Sequence, residues 1–197
     1  MSQSPCVVIL AAGQGSRYRQ VAGAGQDKLL APCLGRDAVV RPVIEQVLSN
    51  LPASLARRVL VTTAERLEVI ALAQAYGCQV LLLDSPGMGD SIAAAVEACA
   101  DAGSWLVVLG DMPFILPSSI ESVAQGLGEG MIRVPVHDGA YGHPVAFGAA
   151  FGPALQGLSG DRGARPLFAL GHVVEVPLAD AGVLWDVDVP QALVFSG

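Results

Sequence analysis

Short apolar runs alternate with longer helical stretches along most of this chain. The runs are rich in valine, isoleucine and leucine and contain few polar positions, a pattern typical of strands that are buried on both faces of a parallel sheet. The stretches between them are helical in pattern and often rich in alanine. This alternation predicts an α/β fold in three layers, with a mostly parallel sheet covered by helices on both faces.

The boundaries of these elements follow from the pattern and from residues that start or stop helices. Asp90 is expected to cap the N-terminus of the third helix, and Gly77 to end the second. After Gly139 the pattern is less regular, and Pro190 is expected to open a final short helix. The predicted strands cover residues 6–10, 58–62, 79–83, 105–109, 132–135, 145–147 and 173–176, and the predicted helices cover residues 41–50, 65–76, 90–100, 117–126, 151–158 and 164–169.

Composition narrows the class of protein. Apolar residues make up 52% of the 197 residues and the mean hydropathy is +0.53, yet no apolar run approaches the ~20 residues that a membrane-spanning helix needs. We find no linker, repeat or low-complexity tract, and we therefore expect one domain over residues 1–197. Residues 1–5 lack the basic region of a signal peptide, so we expect a cytoplasmic protein, and by default a monomer.

The charge distribution indicates a small anionic ligand. A net charge of −7 argues against a nucleic-acid partner, because such binding draws on many cations that neutralise phosphates. Eight of the eleven lysine and arginine residues nevertheless precede residue 67. An acidic protein that binds an anion needs local cations, backbone dipoles or a metal ion, and the first third of the chain offers such cations.

The strongest chemical signal follows the first predicted strand. Residues 11–17 read Ala-Ala-Gly-Gln-Gly-Ser-Arg, and Lys28, the only lysine of the chain, comes soon after. A segment with so little side-chain bulk lets backbone N–H groups approach a ligand closely, and Arg17 and Lys28 add positive charge, which suits a phosphate chain. Two common nucleotide motifs are excluded, because Tyr18 stands where a dinucleotide fingerprint has its third glycine and no Gly-Lys-Ser/Thr is present.

Carboxylates follow two later apolar runs. Asp111 comes directly after Trp-Leu-Val-Val-Leu-Gly, at the edge of a parallel sheet where ligands bind, and is expected to hold Mg²⁺. An aspartate in an ordinary turn would fit the same sequence. Asp186 and Asp188 alternate with apolar residues and are expected to share one face of a strand end. Either is a candidate second metal ligand, and Asp188 is equally a candidate cap for the helix that begins at Pro190.

The cysteines and histidines give weaker signals. The four cysteines are widely spaced without a C-x-x-C pair and are expected to be small buried side chains. Cys33, near the glycine-rich segment, is the candidate for a reactive thiol. His143, in Gly-His-Pro, fits a substrate contact or a structural hydrogen bond, whereas His137 and His172 are interpreted as surface loop residues.

A polar segment, residues 159–165 (Ser-Gly-Asp-Arg-Gly-Ala-Arg), opens a predicted helix. One interpretation is a solvated loop with Asp161 near a helix N-cap. The other is an anion clamp in which Arg162, Arg165 and a helix N-terminus come together. The sequence leaves both open.

Together these motifs resemble the MobA-like nucleotidyltransferase family, and most closely its molybdenum cofactor cytidylyltransferase branch. The glycine-rich segment and Gly110-Asp111 are shared by many sugar-nucleotide transferases. Met112-Pro113, Gly142-His143-Pro144 and residues 159–165 are narrower and carry the assignment to the branch. The resemblance spans nearly the whole chain and implies a single-domain, Rossmann-like nucleotidyltransferase fold.

The resemblance also implies a reaction: transfer of CMP from CTP to the terminal phosphate of molybdopterin, with release of pyrophosphate and with Mg²⁺ as cofactor. Ala12 matches the Leu-Ala-Ala-Gly form that accompanies cytidine in the family. A molybdoenzyme or its chaperone is the implied recipient. The residues carried over are Leu10, Ala11, Ala12, Gly13, Gly15, Arg17, Lys28 and Ser91 for the nucleotide, Asp111 and Asp188 for the metal, and His143, Ser159, Asp161, Arg162 and Arg165 for the acceptor, with Arg17, Lys28 and Asp111 catalytic.

Residues 18–27 depart from the family pattern, because this stretch is longer than usual and contains two glycines. We expect a mobile flap there, and if it displaced Lys28, Arg19 would be the substitute. Three other functions stay open. They are nucleotidyl transfer to a sugar phosphate or another small phosphate, a cofactor-binding chaperone without turnover, and a dinucleotide-dependent oxidoreductase.

Overall fold

A twisted central sheet organises the chain in a computed structural model that describes residues 4–84 and 87–197. The strands are β1 (Cys6–Leu10), β2 (Pro32–Leu34), β3 (Val40–Pro42), β4 (Arg58–Thr62), β5 (Gln79–Leu82), β6 (Ser104–Leu109), β7 (Met131–His137), β8 (Ala140–Tyr141), β9 (Val145–Gly148) and β10 (His172–Pro177). The α-helices are α1 (Ser16–Ala22), α2 (Val43–Asn50), α3 (Leu67–Ala75), α4 (Met88–Ala98), α5 (Pro117–Ala124) and α6 (Gly152–Gln156). Short 3₁₀ helices cover Ala100–Ala102, Ala149–Phe151, Arg165–Leu170, Ala181–Leu184 and Pro190–Leu193.

The sheet is mostly parallel, as the alternating pattern predicts. Its strand order is β10-β7-β9-β6-β1-β4-β5, with β8 paired to β7, and β2 and β3 form a separate hairpin. Strand β1 pairs in parallel with β4 and β6, and β4 with β5. Strand β9 runs antiparallel to both β6 and β7. The carboxyl ends of β1, β4, β5 and β6 therefore meet at one edge, which is where ligands bind in open parallel sheets.

Apolar side chains cover both faces of this sheet. Along β1, Val7 and Ile9 belong to one buried cluster, while Cys6 and Val8 belong to the other, as the two-residue period of a strand requires. Helices α2, α3 and α5 pack on the first face, and α4 and α6 on the second. The predicted three-layer α/β fold is confirmed.

The structure corrects several local predictions. Helix α1 and the β2–β3 hairpin were not predicted, because their short segments carry no clear hydrophobic period. Asp90 is not an N-cap: α4 begins at Met88, and the Asp90 carboxylate accepts a hydrogen bond from Gly160 N at 3.0 Å. His137 and His172 lie at the ends of β7 and β10, not in loops. The predicted helix over 164–169 is a 3₁₀ helix.

Other expectations agree with the structure or fall outside it. Gly77 follows α3 with a φ of 73°, the left-handed conformation of a helix stop, and Pro190 opens a 3₁₀ turn. All four cysteines are buried and free, as expected for small buried side chains. Burial raises the pKa of Cys33 to about 11, which disfavours the thiolate that a reactive cysteine needs. Within the described residues, no helix is long and apolar enough to cross a membrane. Residues 1–3 of the N-terminal segment lie outside the described part of the chain.

Candidate active site

A cleft of about 550 Å³ opens at the carboxyl edge of the sheet, between the β1–α1 loop and the start of α4. It brings together most residues that the sequence assigns to a nucleotide, although they come from distant parts of the chain. The lining residues include Leu10, Ala11, Ala12, Gly13, Lys28, Ser91, Asp111 and Asp161. Gly15 and Arg17 border this group through their contacts with Lys28 and Asp188, respectively.

The β1–α1 loop forms one wall of the cleft. Ala11 continues the ladder of β1, since its N–H donates to Val61 O at 2.8 Å, and Ala11 and Ala12 are both buried. Gly13 is exposed, with open space where a Cβ would lie. Gly15 adopts a φ of 61°, and a Cβ there would lie 3.4 Å from Lys28 Cγ. The 3.4 Å separation is an ordinary van der Waals contact, so glycine is favoured at position 15 by the left-handed backbone and not by a lack of space beside the lysine stem.

Lys28 lies at the base of the cleft between two carboxylates. Its Nζ atom is 2.5 Å from Asp111 Oδ2 and 3.1 Å from Asp188 Oδ1, and Arg17 Nη1 is 2.8 Å from Asp188 Oδ2. Burial by itself would lower the pKa of Lys28, but the charge and hydrogen bonds of Asp111 and Asp188 outweigh it and raise the pKa. Lys28 is therefore held as an ammonium ion.

The segment before Lys28 does not displace it, and a mobile flap over residues 18–27 stays a prediction. Half of that stretch, residues 18–22, belongs to α1, and Asp27 closes the turn that follows by accepting the Leu29 N–H at 3.0 Å. Leu29 O then accepts the Ile44 N–H of α2 at 2.9 Å. These bonds anchor the turn to the core, so Arg19 is not needed as a substitute for Lys28.

The two carboxylate segments are tied to each other by the backbone. Val187 N donates to Asp111 O at 2.9 Å, and Gly110 N donates to Leu10 O at 2.9 Å. A Cβ at Gly110 would lie only 2.8 Å from Leu10 O, so glycine there permits the close approach of β6 to β1. Asp111 and Asp188 thereby converge on Lys28.

The structure distinguishes the two C-terminal aspartates. Asp188 does not cap the turn that begins at Pro190, since Val189 occupies that position without a side-chain hydrogen bond. Burial would raise the pKa of Asp188, but Lys28 and Arg17 outweigh it and lower the pKa. Asp186 is exposed and makes no ion pair with Lys28 in the described structure. Desolvation of its carboxylate by the surrounding protein, together with the charges of Asp188 and Asp111, raises the pKa of Asp186.

The chemistry of this group fits a magnesium ion that is shared with a polyphosphate. The described residues contain no cluster of three or more His, Cys, Asp or Glu side chains that could hold a metal by themselves. Mg²⁺, however, is usually held in nucleotide enzymes by one or two carboxylates together with phosphate oxygens and water. Asp111 and Asp188 supply that minimal set.

The opposite wall joins two glycine-rich segments. Gly89 N donates to Gly160 O at 2.8 Å, and a Cβ at Gly87 would lie 2.1 Å from the Gly160 carbonyl carbon. Ser91 is buried and lines the cleft, with its hydroxyl donating to Gly87 O at 3.2 Å. The glycines therefore allow the start of α4 to pack directly on the 159–161 loop.

A second, mostly apolar cavity of about 170 Å³ adjoins the cleft, and Met88 lines both. His143 lies in its wall with a buried Nδ1 atom that has no hydrogen-bond partner among the described residues. Burial lowers the pKa of His143 below its ordinary value, so the ring is neutral near pH 7 and has an unused hydrogen-bonding atom. The other lining residues include Ile92, Val107, Val134, Tyr141, Val145, Phe147, Ala164, Arg165 and Phe168.

The 159–165 segment contributes residues to both spaces. Asp161 lines the nucleotide cleft and Arg165 lines the apolar cavity, whereas Ser159 and Arg162 line neither of these two spaces. Arg162 is exposed, and the helix that follows is a six-residue 3₁₀ helix. No α-helix N-terminus follows the segment, and an anion clamp of Arg162 and Arg165 stays a prediction.

Sequence reasoning missed Arg66, which precedes α3 at the same edge of the sheet. Its guanidinium donates to Ala11 O at 2.5 Å and to Gly13 O at 2.6 Å, and its Nε lies 3.1 Å from Asp27 Oδ2. The only available signal was an arginine just after β4, at an edge where the other strands carry site residues. A single arginine in a loop does not by itself indicate such a role.

Comparisons with known proteins agree with this geometry. The Bifunctional protein GlmU of Aromatoleum aromaticum is 32% identical over 149 residues, which are 73% of this chain and 31% of that protein. The chain thus spans about a third of the length of this relative.

Solved structures share the fold over almost their whole length. A nucleotidyl transferase from Methanothermobacter thermautotroptrophicus has a TM-score of 0.78 at 23% identity, with 96% of this chain and 94% of that chain covered. Rv0371c from Mycobacterium tuberculosis H37Rv has a TM-score of 0.76 at 24% identity, with 98% and 96% covered. A further structure of Rv0371c is a complex with manganese, with a TM-score of 0.71 at 22% identity and 96% and 95% covered.

A family model gives the decisive match. The MobA-like NTP transferase domain matches residues 7–176, a range that contains the β1–α1 loop, Lys28, Asp111 and the histidine of the apolar cavity. This chain belongs to the MobA-like NTP transferase family.

Proposed function

We propose that this nucleotidyltransferase transfers CMP from CTP to the terminal phosphate of molybdopterin and releases pyrophosphate. The main support for nucleotidyl transfer is the group of Lys28, Asp111 and Asp188, which lies at the base of a cleft beside a glycine-rich loop. Such a group neutralises and orients a polyphosphate, and phosphoryl and nucleotidyl transfer depend mainly on positioning and charge stabilisation.

In the proposed reaction an anionic oxygen of the acceptor phosphate attacks the α-phosphorus of CTP. A P–O bond forms to the acceptor while the bond from the α-phosphorus to the bridging oxygen breaks, and the electron pair leaves with pyrophosphate. Lys28 and Arg17 bind phosphate oxygens of the triphosphate. Asp111 and Asp188 would hold Mg²⁺, which would supply charge stabilisation to the α-phosphate and the leaving pyrophosphate. The attacking oxygen is already ionised at neutral pH, so no side chain has to remove a proton.

The choice of CTP is supported by Ala12. This residue is buried and lines the cleft next to Gly13. A Cβ at this position narrows the groove beside the backbone and favours a pyrimidine over the larger purine. The same residue completes the Leu-Ala-Ala-Gly form that accompanies cytidine in the family.

The choice of acceptor is supported by the cavity that adjoins the cleft. Its aromatic and branched aliphatic walls suit a flat heterocycle. A sugar phosphate would place several hydroxyl groups against these walls, where they would lose their hydrogen bonds to water. The cavity therefore favours a pterin phosphate over a sugar phosphate.

A pyrophosphate-release assay tests the proposal. The purified protein is given each of CTP, GTP, ATP and UTP with Mg²⁺, and each is paired with molybdopterin or with a panel of sugar 1-phosphates. We expect release with CTP and molybdopterin, and a loss of about 10²- to 10³-fold in Asp111→Asn. Asp101→Asn is the matched control, because Asp101 lies at the opposite end of β6 and pairs on the surface with Arg57.

Each contrary result identifies the part of the proposal that is wrong. Turnover of a sugar phosphate but not of molybdopterin would refute the proposed acceptor. Turnover with GTP alone would refute CTP as the proposed donor. Tight binding of CTP and molybdopterin without release of pyrophosphate would instead identify a cofactor-binding chaperone.

A further inference from the structure

The guanidinium of Arg66 binds the rear of the glycine-rich loop. The side chain is only 9% exposed and donates to the carbonyl oxygens of Ala11 and Gly13 at 2.5 and 2.6 Å. Ala11 O also accepts from Thr62 Oγ1 at 3.2 Å. An arginine in the loop after β4 thus holds two carbonyls of the loop after β1.

These two bonds set the direction of the loop's N–H groups. In a trans peptide the C=O and N–H groups point in opposite directions, and the peptide bonds of the β1–α1 loop are trans. Because the carbonyls of Ala11 and Gly13 face Arg66, the N–H groups of Ala12 and Gln14 point away from it. Ala12 and Gln14 line the cleft, so these donors are available to an anion bound there.

A third bond connects Arg66 to the turn that carries Lys28. Arg66 Nε lies 3.1 Å from Asp27 Oδ2, while Asp27 Oδ1 accepts the Leu29 N–H at 3.0 Å. The same turn is closed by Leu30 N donating to Asp27 O at 3.1 Å. One guanidinium therefore braces both the loop N–H groups and the segment from which the Lys28 ammonium extends.

We propose that Arg66 is a positioning residue, which holds the β1–α1 loop and the Lys28 turn in the geometry that receives the triphosphate. It lies behind the loop and acts through the loop amides and Lys28. The inference rests on the proposed nucleotidyl transfer, and it adds a residue to the site that the motifs do not contain. Its burial is consistent with this role, since desolvating a cation is costly unless several acceptors surround it.

Arg66→Met tests the proposal, and Arg58→Met is the matched control. Arg58 lies at the opposite end of β4, where its guanidinium binds the carbonyls of Leu51, Pro52 and Leu55 at 2.9–3.2 Å. Both variants remove an arginine that caps backbone carbonyls, but only one of these arginines touches the site. Asp27→Asn is a milder second variant, because it weakens a single one of the three bonds.

The first measurement is ¹⁵N relaxation without nucleotide. Order parameters of residues 12–15 and 28 are expected near ~0.85 in the wild type and Arg58→Met, and below ~0.6 in Arg66→Met. Asp27→Asn should affect residue 28 more than the loop. Wild-type order parameters in a folded Arg66→Met protein would overturn the proposal. If Arg66→Met does not fold, an unchanged order parameter at residue 28 in Asp27→Asn would overturn the proposal.

The second measurement is the steady-state kinetics of the CTP reaction. Arg66→Met should lower kcat/KM for CTP by about 10- to 100-fold and leave the KM for the acceptor unchanged, with partial recovery in Arg66→Lys. An equal loss in Arg58→Met would indicate a general effect of stability and contradict the proposal. A wild-type protein without turnover would refute the proposed function, and the relaxation data would still decide the role of Arg66.

Discussion

Lys28 Nζ lies 2.5 Å from Asp111 Oδ2, although the two residues are separated by 83 positions in the chain. The side chains are 10% and 20% exposed, so this ion pair is only partly screened by water. In the described structure the ammonium lies between the carboxylates of Asp111 and Asp188. A magnesium ion that used the same carboxylates would compete with it, and incoming phosphates would offer Lys28 new partners.

Lys28→Met should therefore have two opposite effects. Transfer should fall by about 10²- to 10³-fold, because a preorganised cation is lost from the transition state. The affinity of the nucleotide-free protein for Mn²⁺ should rise, since Asp111 and Asp188 no longer have to release an ammonium ion. Steady-state kinetics and paramagnetic relaxation of water by Mn²⁺ measure the two effects. Unchanged or weaker Mn²⁺ binding would contradict the competition between Lys28 and the metal.

Gly15→Ala and Gly13→Ala should separate stability from binding. Gly15 has a φ of 61°, a left-handed backbone conformation that a Cβ disfavours, so an alanine should cost about 1–2 kcal/mol of unfolding free energy. Gly13 has open space around it, and an alanine there should leave stability unchanged while its methyl group obstructs the triphosphate. Urea denaturation and CTP titration calorimetry test the pair. Equal stability losses would argue against the strained backbone at position 15.

Asp180→Asn should destabilise the fold in a way that depends on pH. The side chain is 2% exposed and pairs with Arg36, while Ser119 Oγ and the N–H groups of Leu116 and Gly182 donate to it. Burial would raise the pKa of Asp180, but these donors outweigh it and lower the pKa. We expect a loss of about 1–3 kcal/mol near pH 7.

The sign of the pH dependence follows from that lowered pKa. The stabilisation by Asp180 is complete above the unfolded value of ~3.9 and is lost as the pH falls through the lower folded value. The difference between wild type and Asp180→Asn should therefore shrink below about pH 4. Urea denaturation from pH 7 to pH 3 measures it, with Asp101→Asn as an exposed control. A difference that did not change with pH would refute the assignment to the charge of Asp180.

His143→Gln should remove part of the acid sensitivity of the fold. Burial lowers the pKa of His143, so the unfolded chain binds a proton at a higher pH than the folded protein does. Wild-type stability should consequently fall as the pH drops below ~6.5 towards the folded pKa, and glutamine abolishes this component. Chemical denaturation at pH 7.5 and pH 5 measures the change. Identical pH slopes in both proteins would mean that His143 titrates normally.

Ala164→Leu should act on the acceptor alone. Ala164 lines the apolar cavity and not the nucleotide cleft, and a larger side chain fills part of the ~170 Å³ space. We expect a KM for molybdopterin that rises about tenfold, in line with the 1–3 kcal/mol value of a few methylene groups in a pocket, with CTP affinity unchanged. A weaker CTP affinity would show that the cavity and the cleft are not separate subsites.

Much of the architecture could be predicted from patterns along the chain. The β-branched runs predicted the six parallel strands of the sheet, since strands buried on both faces leave a continuous apolar signature. Helix α1 and the β2–β3 hairpin could not be predicted, because short elements are stabilised by their contacts with the rest of the fold. The histidines at the ends of β7 and β10 were interpreted as loop residues for the same reason.

The sequence by itself determined the class of fold and the local chemistry of each segment: small residues in the β1–α1 loop, one lysine after it, and an aspartate directly after β6. Tertiary structure alone decided which of these groups meet. Lys28 contacts Asp188, which lies 160 positions away in the chain, whereas Asp186 makes no ion pair with Lys28 in the described structure. Arg66, in the loop after β4, binds the β1–α1 loop. Parallel strands bring their carboxyl ends to one edge whatever the distance along the chain. Which side chains then converge depends on turns and hydrogen bonds between elements, which local sequence patterns do not encode.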